Sequence, residues 1–310
     1  MSNHSGKRAL AVAMGVTPDL AFAAATVLRG LGRFPPADDY DVLIHHGGLC
    51  DSDVERLGRV HPCRFERFRC PERIRRGIPA ASLRAFSDQV YAKYECFDLL
   101  AQYSQVLWLD ADVLVRGDTT ALVERGRGGA AFAREDKPLR FNFSRDIEGF
   151  AMDRPFYNAG IFVLSDRLPG WREAKAWLLE ASVRYADRVV MSEQAILNLW
   201  LQKQRIEPVD LLPEYNVFRH RAAAAGARIV HAVGHHKPWM DFGDEAWNDD
   251  YRHWLAIGGS SCPVWKSVRF MATRRPKPWS SPSEFARRAF EIRRFLHRRA
   301  QLAAAARAAP

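Results

Sequence analysis

The sequence predicts an α/β protein whose sheet is flanked by helices on both faces. Three observations carry this. Short apolar runs of strand length recur along the chain, patterns of helical period separate them, and the run VLWL ends in two aspartates, Asp110 and Asp112.

The first element is the strand Ala9 to Met14, followed by a loop from Gly15 to Asp19 and a helical pattern over about residues 20–30. A second apolar run, Val42 to Ile44, precedes LCDSDVERLG. There Asp51 and Asp53 read as a helix N-cap and a dipole-favoured acid, although they repeat the Asp-x-Asp spacing. A helical pattern over 83–101 leads into Val106 to Leu109. Strands follow at Ala130 to Phe132 and Ala159 to Leu164, helices over 171–186 and 193–203, and a last strand at Ile229 to Val233. In open sheets of this type ligands sit beyond the carboxyl ends of the strands, where Gly15, Asp110 and Asp112 fall.

At 310 residues and 47% hydrophobic, the chain can bury a core as one large domain or two small ones. Its five cysteines, Cys50, Cys63, Cys70, Cys96 and Cys262, contain no C-x-x-C pair; they suit a reducing compartment and read as small buried hydrophobes. Lys7 and Arg8 before ALAVAMGV are like the start of a secretory signal. Thr17, Pro18 and Asp19 interrupt that apolar run, and a strand-turn-helix accounts for the same residues. No apolar run reaches the roughly 18 residues of a membrane span.

The formal charge of +10 is concentrated at one end. From Pro263 to Pro310, twelve Lys and Arg stand against Glu284 and Glu291, so this stretch carries the whole excess and the preceding 262 residues sum to zero. Within it Trp265, Phe270 and Trp279 alternate with cations. A helical segment then starts at Pro282 and Ser283, with Phe285, Ala289, Ile292, Leu296, Ala300 and Ala303 on one stripe and Arg287, Arg294 and Arg298 opposite. A neutral body with a basic tail directs long-range attraction to anionic partners through the tail.

Two carboxylates at the end of a Val/Leu/Trp strand are costly unless paired, which points to a bound cation or a concentrated donor set. If the strand end stays extended, Asp110 and Asp112 project to one side and a single hard metal ion could bridge them. Further on, His231, Gly234 and Lys237 follow a β-rich apolar segment. An imidazole can complete a Mn²⁺ site begun by two carboxylates, Gly234 lets backbone approach a diphosphate, and Pro238 biases Lys237 toward extended backbone. On these residues alone, His231 reads more readily as a structural histidine and Lys237 as a solvated charge. His45 with His46, and His235 with His236, face different ways on an extended chain and read as structural or surface.

Five blocks in order, YAKYECFDLL, LDADVLV, FYNAGIFVLS, SEQAILNLW and IVHAVGHHKPW, resemble glycosyltransferase family 8, the group containing glycogenin and bacterial lipopolysaccharide galactosyl- and glucosyltransferases. The resemblance covers about residues 8–240 and implies a GT-A-type, Rossmann-like mixed sheet. Every position of the family's H-x-x-G-x-x-K-P-W pattern is matched. It implies a metal site of Asp110, Asp112 and His231, holding Mn²⁺ or, alternatively, Mg²⁺. Donor-binding positions would be Met14, Gly15, Val16, Lys93, Asp110, Ala111, Asp112, Asn158, Ala159, Gly234 and Lys237. Small Ala159 and Gly160 leave room for the sugar beside Asn158.

Glu193 and Gln194 match the family's acid-glutamine pair at a helix start, with Ser192 as N-cap; together with Lys237 they are the expected catalytic groups. The usual acid is Asp, so the longer Glu193 departs from the pattern. Arg140, Asp153 and Arg154 lie where relatives carry acceptor-binding loops. The expected activity is retaining transfer of a hexose from UDP-galactose or UDP-glucose to a saccharide or lipid-linked saccharide, in lipopolysaccharide or other surface glycan synthesis.

Residues 1–261 would form the catalytic domain. Residues 262–310 would form a tail that attaches the enzyme to the cytoplasmic face of an anionic membrane. Two other classes are compatible with parts of the sequence, a catalytically inactive nucleotide-sugar-binding module and a nucleic-acid-binding protein acting through the tail. The second leaves the acidic strand unexplained, so no nucleic-acid partner is expected. A sugar nucleotidyltransferase would need a Gly-rich, basic loop after the first strand, and MGVTPDL lacks one.

Overall fold

The computed structural model describes residues 6–221, 226–234, 236–263 and 282–308, with side chains undescribed at 81, 84, 85 and 282–292. His235, Trp265, Phe270 and Trp279, and the side chains of Phe285, Arg287, Ala289 and Ile292, lie outside the described residues.

In chain order the strands are β1 (Arg8–Val16), β2 (Tyr40–His46), β3 (Arg64–Arg67), β4 (Tyr103–Leu109), β5 (Val113–Val115), β6 (Ala130–Pro138), β7 (Pro155–Ser165), β8 (Val209–Asp210), β9 (Val217–Phe218) and β10 (Ile229–His231). The helices are α1 (Ala21–Arg33), α2 (Asp51–Val60), α3 (Glu72–Gly77), α4 (Ala80–Phe86), α5 (Glu95–Leu99), α6 (Thr120–Arg125), α7 (Trp171–Arg184), α8 (Ser192–Lys203), α9 (Pro238–Asp241) and α10 (Glu245–Ala256), followed by a C-terminal helix, Pro282–Ala308.

The main sheet has the order β3-β2-β1-β4-β7-β6-β8, and a smaller one has the order β5-β10-β9. Strands β3, β2, β1 and β4 run parallel, whereas β7 is antiparallel to both β4 and β6, so the sheet is mixed. Side chains of β1 alternate between two cores. Leu10, Val12, Met14 and Val16 join α1, Trp239, Trp247 and Tyr251 on one face, while Ala11 and Ala13 join Trp108, Phe162 and Trp200 on the other. Burial on both faces explains why β1 reads as a continuous apolar run.

Several expected boundaries move. The helix expected over 83–101 breaks into α4, a 3-10 segment Asp88–Tyr94, and α5. Ser87 takes a positive φ of 65° at the break, and its hydroxyl accepts from Gln89 N, so the chain turns and the 3-10 segment packs beneath β1. The last strand ends at His231, two residues early. At α2 the N-cap position is Cys50, so Asp51 and Asp53 both lie within the first turn; Asp53 accepts from Ser260 N.

The C-terminal helix packs on α10. Its buried line runs through Phe295 and Ala306, with Leu302 partly buried against the core, and Phe295 stacks on Phe242 at 5.4 Å between centroids. Arg298 donates to the carbonyls of Asp241 and Phe242, groups left open at the end of α9. This corrects the expected stripe, because Leu296 and Ala300 face outward and Arg298 lies on the packed side. The attraction of an aromatic shelf and open carbonyls on the body outweighs an apolar count along the helix alone. No helix among the described residues is long and apolar enough to cross a membrane.

Candidate functional site

The strand order reverses between β1 and β4, and the acidic pair lies just past the end of β4. The chain does not stay extended there. Asp110 O accepts from Val113 N in a turn that carries the backbone from the main sheet into β5 of the smaller one. Strand β10 pairs antiparallel to β5 with His231 opposite Val113, and Ala232 N donates to Asp112 O. Thus two sheets, not one extended edge, bring Asp110, Asp112 and His231 together: each offers a ligand atom within 4.8 Å of the others.

The imidazole is oriented by a residue that sequence reasoning missed. Asn216 Oδ1 lies 2.7 Å from His231 Nδ1, so with the amide oxygen accepting, the proton sits on Nδ1 and the lone pair of Nε2 faces the carboxylates. Nε2 is 3.4 Å from Asp112 Oδ1 and 3.9 Å from Asp110 Oδ2. Asp112 Oδ1 is buried and accepts no hydrogen bond. Two lone-pair atoms facing one another, one of them a buried orphan, fit a cation between them, and the carboxylate-imidazole donor set suits a first-row divalent metal.

Both acids are also held by lysines. Lys237 bonds Asp112 Oδ2; burial raises the affinity of this carboxyl for a proton, but the neighbouring Lys237 ammonium works against that, and the carboxyl is held below the ordinary carboxylate range. Lys237 has the extended backbone expected before proline. Gly234 takes a φ of +57° in a position with open space around it, which glycine accommodates without strain.

Lys93 is buried, not an exposed helix lysine: its Nζ lies 3.1 Å from Asp110 Oδ1 and 2.5 Å from Glu193 Oε1. Burial works against its charge, yet Asp110 and Glu193 prevail and keep it protonated beyond the usual lysine range. Trp108, also missed, donates from Nε1 to Asp110 Oδ1 at 2.8 Å. Its place two residues before Asp110 on a strand was the available signal. For Asn216 the signal was weaker, an asparagine that tolerates its positive φ of 60°.

Strand β7 passes beside the metal-ligand candidates. Its register against β6 slips, Phe132 facing Phe162 and Ala133 facing Asn158, which frees the intervening residues; Gly160 O then accepts from Asp110 N at 2.8 Å. A Cβ on Gly160 would come within 2.0 Å of His231 Cε1, so only glycine admits the ring. Asn158 Oδ1 accepts from Gly160 N. Gln194 Oε1 accepts from Ala159 N and its Nε2 donates to Asn142 Oδ1, while Asn198 holds both backbone groups of Tyr157. Helix α8 is therefore stitched to β7 by amides, of which Asn142 and Asn198 were not anticipated.

Ser192 is not an N-cap. It is the first residue of α8, with a φ of 44°, and its hydroxyl donates to Tyr91 OH. Met14 and Val16 are fully buried in the core, so the end of β1 offers backbone there; Gly15 faces Trp108 and the Gln89 carbonyl, each of which a Cβ would crowd at 3.2–3.3 Å. Ala111 is buried beside the acids. Arg140, Asp153 and Arg154 are away from the cluster in surface ion pairs, Arg140 with Asp146 and Asp153, Arg154 with Glu207. His45 is buried with an unpartnered Nε2, while His46 Nδ1 accepts from Leu49 N.

The family model described as glycosyl transferase family 8 matches residues 53–243. Among solved structures, the galactosyltransferase LgtC, determined in complex with donor and acceptor sugar analogues, is similar with a TM-score of 0.63 at 18% identity, covering 83% of this chain and 99% of that one. The bifunctional glycosyltransferase WbbM is similar with a TM-score of 0.58 at 18% identity, over 87% of this chain and 52% of that one. GlyE of Streptococcus pneumoniae TIGR4 gives 0.53 at 20% identity, over 82% and 62%. No curated protein sequence matches. These likenesses establish the shared fold, a mixed sheet of GT-A type flanked by helices.

Proposed function

Because this chain belongs to glycosyltransferase family 8 and is a glycosyltransferase, we propose that it transfers a hexose, from UDP-galactose or UDP-glucose, to a saccharide hydroxyl with retention of anomeric configuration. The observation that carries the metal-dependent reading is the convergence of Asp110, Asp112 and the Nε2 of His231 around an unsatisfied buried oxygen. Bound there, Mn²⁺ or Mg²⁺ supplies Lewis-acid stabilisation of the departing diphosphate.

The chain's own residues do the rest. Lys237, held over Asp112, is a second cation within reach of the same charge, and Gly234 leaves space for backbone to approach it. Backbone at Gly15 and Ala111, with Lys93 behind Asp110, forms the wall toward the nucleoside. Asn158 and Ala159 border the sugar. Gln194 has its amide oxygen engaged by Ala159 N, which suits a group that positions the sugar and not one that attacks it. An amide is also a poor nucleophile, and the proposed route is attack on the face of the leaving group through an oxocarbenium-like state.

The acceptor is a saccharide or a lipid-linked saccharide of a surface glycan, such as lipopolysaccharide. Attachment to the cytoplasmic face of an anionic membrane through the C-terminal region is part of this reading. It is supported by Arg293, Arg294 and Leu296 facing outward on a helix whose other side is docked. The test is hydrolysis of a panel of UDP- and GDP-sugars with Mn²⁺ and without acceptor. Turnover of a UDP-hexose that stops in EDTA is expected; turnover undiminished in EDTA, or confined to GDP-sugars, would overturn the proposal.

A further inference from the structure

Glu193 is the one site residue that departs from the family pattern, and its surroundings define what it does. It is 5% exposed, and its Oε1 is 2.5 Å from the ammonium of Lys93, itself 4% exposed. That ammonium also lies 3.1 Å from Asp110 Oδ1 and 3.3 Å from Oδ2, and 5.9 Å from the centre of the Trp108 ring. Trp108 Nε1 adds a second donor to Oδ1 at 2.8 Å. Asp110 is therefore gripped from inside, with Lys93 reaching both carboxylate oxygens and Trp108 holding Oδ1, while Oδ2 also lies 3.9 Å from Nε2 of His231.

We infer that Glu193 is a positioning residue for Asp110, acting through Lys93, and not a contact to a sugar hydroxyl. A buried carboxylate already engaged by an ammonium offers a sugar little surface, and breaking that pair would leave the Glu193 charge unpaired in the interior. The second acid also shares the lysine's charge. With Glu193 present, Lys93 neutralises Asp110 only in part, and the Asp110 carboxylate keeps negative charge for a divalent cation. From the start of α8, the extra methylene of glutamate over aspartate carries the carboxylate to Nζ. Outer groups of this kind orient and tune ligands without touching the metal.

The inference rests on the metal-dependent reading above. The experiment is calorimetric titration of Mn²⁺ into the full-length protein without nucleotide sugar, alongside kinetics with UDP-galactose and UDP-glucose. Glu193→Gln is expected to weaken Mn²⁺ binding by about 10- to 100-fold and to lower kcat, with the KM ratio of the two donors unchanged. Glu193→Asp, which keeps the charge but retracts it, is expected to weaken Mn²⁺ binding less, and Lys93→Arg in that background to restore it, because arginine reaches further than lysine.

Wild-type Mn²⁺ affinity in E193Q with altered discrimination between the donors would overturn the inference and restore the sugar contact. Should E193Q fail to fold, E193D decides, and an unchanged Mn²⁺ affinity there overturns it equally. Wild-type protein that binds no Mn²⁺ overturns the metal reading itself, a result distinct from failure in the variants.

Discussion

Asn216 Oδ1 lies 2.7 Å from His231 Nδ1, and this bond selects the ring tautomer that presents Nε2 to Asp110 and Asp112. Because Asn216 has a positive φ, glycine removes its side chain without backbone strain. Asn216→Gly is expected to weaken divalent-metal affinity by about 10- to 100-fold while leaving thermal unfolding of the metal-free protein within a few degrees of wild type. Calorimetry and a melting curve check both; equal metal affinity would make Asn216 a turn residue only.

Asp112→Asn removes the charge that faces both His231 and Lys237. Loss of a metal's anchor is worth several kcal/mol, so turnover should fall on the order of 10² or more. Steady-state rates at saturating UDP-hexose decide this, with circular dichroism confirming the fold. A near-normal rate would move the chemistry elsewhere.

If Lys237 acts on charge that grows as the diphosphate departs, Lys237→Ala lowers kcat more than it raises KM. The same variant leaves Asp112 without its counter-ion in the ligand-free protein. A defect seen only in KM would show that Lys237 binds ground state and transition state alike.

Burial lowers the His45 pKa from 6.5 to about 4. Since the folded value is depressed, the unfolded chain takes up the proton first as pH falls. Stability from this group is therefore complete above about pH 6.5 and lost progressively toward pH 4, to the extent of roughly 3 kcal/mol. Denaturant unfolding should show a shallower loss between those limits in His45→Gln than in wild type. Parallel curves would mean that His45 is already protonated in the native state.

The docked side of the C-terminal helix makes truncation a poor probe of membrane binding, since removing Phe295 uncovers Phe242. The outward arginines are separable from that role. Arg293→Glu with Arg294→Glu is expected to leave UDP-hexose hydrolysis intact and to reduce sedimentation with anionic vesicles at low salt by roughly tenfold or more, at about 1 kcal/mol for each cation near such a surface. Equal sedimentation of wild type and variant would remove these residues from any membrane contact.

Strands β1, β2, β4, β6, β7 and β10 were legible in the sequence because burial leaves continuous apolar runs. The metal-ligand candidates were legible for a different reason: acids and an imidazole in apolar surroundings are conspicuous. What was not legible depended on partners distant in sequence. Trp108 and Asn216 look like an ordinary core aromatic and a loop amide until Asp110 and His231 are placed beside them. Lys93 was singled out by the resemblance, but its pairing with Glu193 was not legible until the break at Ser87 placed it beneath β1. The C-terminal stripe was displaced because periodicity records where apolar residues lie on a helix and not which body face receives them.

Asp112 and His231 are joined across the smaller sheet by the pairing of Val113 with His231, although more than a hundred residues of chain lie between them. No fragment ending before β10 can therefore possess a partial version of the donor set with its imidazole. Long loop closure must be complete before the cluster exists, so a cation that binds it binds only the finished topology and shifts the folding equilibrium toward that state by mass action. A cation held there would latch β5 to β10 across the smaller sheet, and resistance of the region around β9 and β10 to local opening should track occupancy by metal.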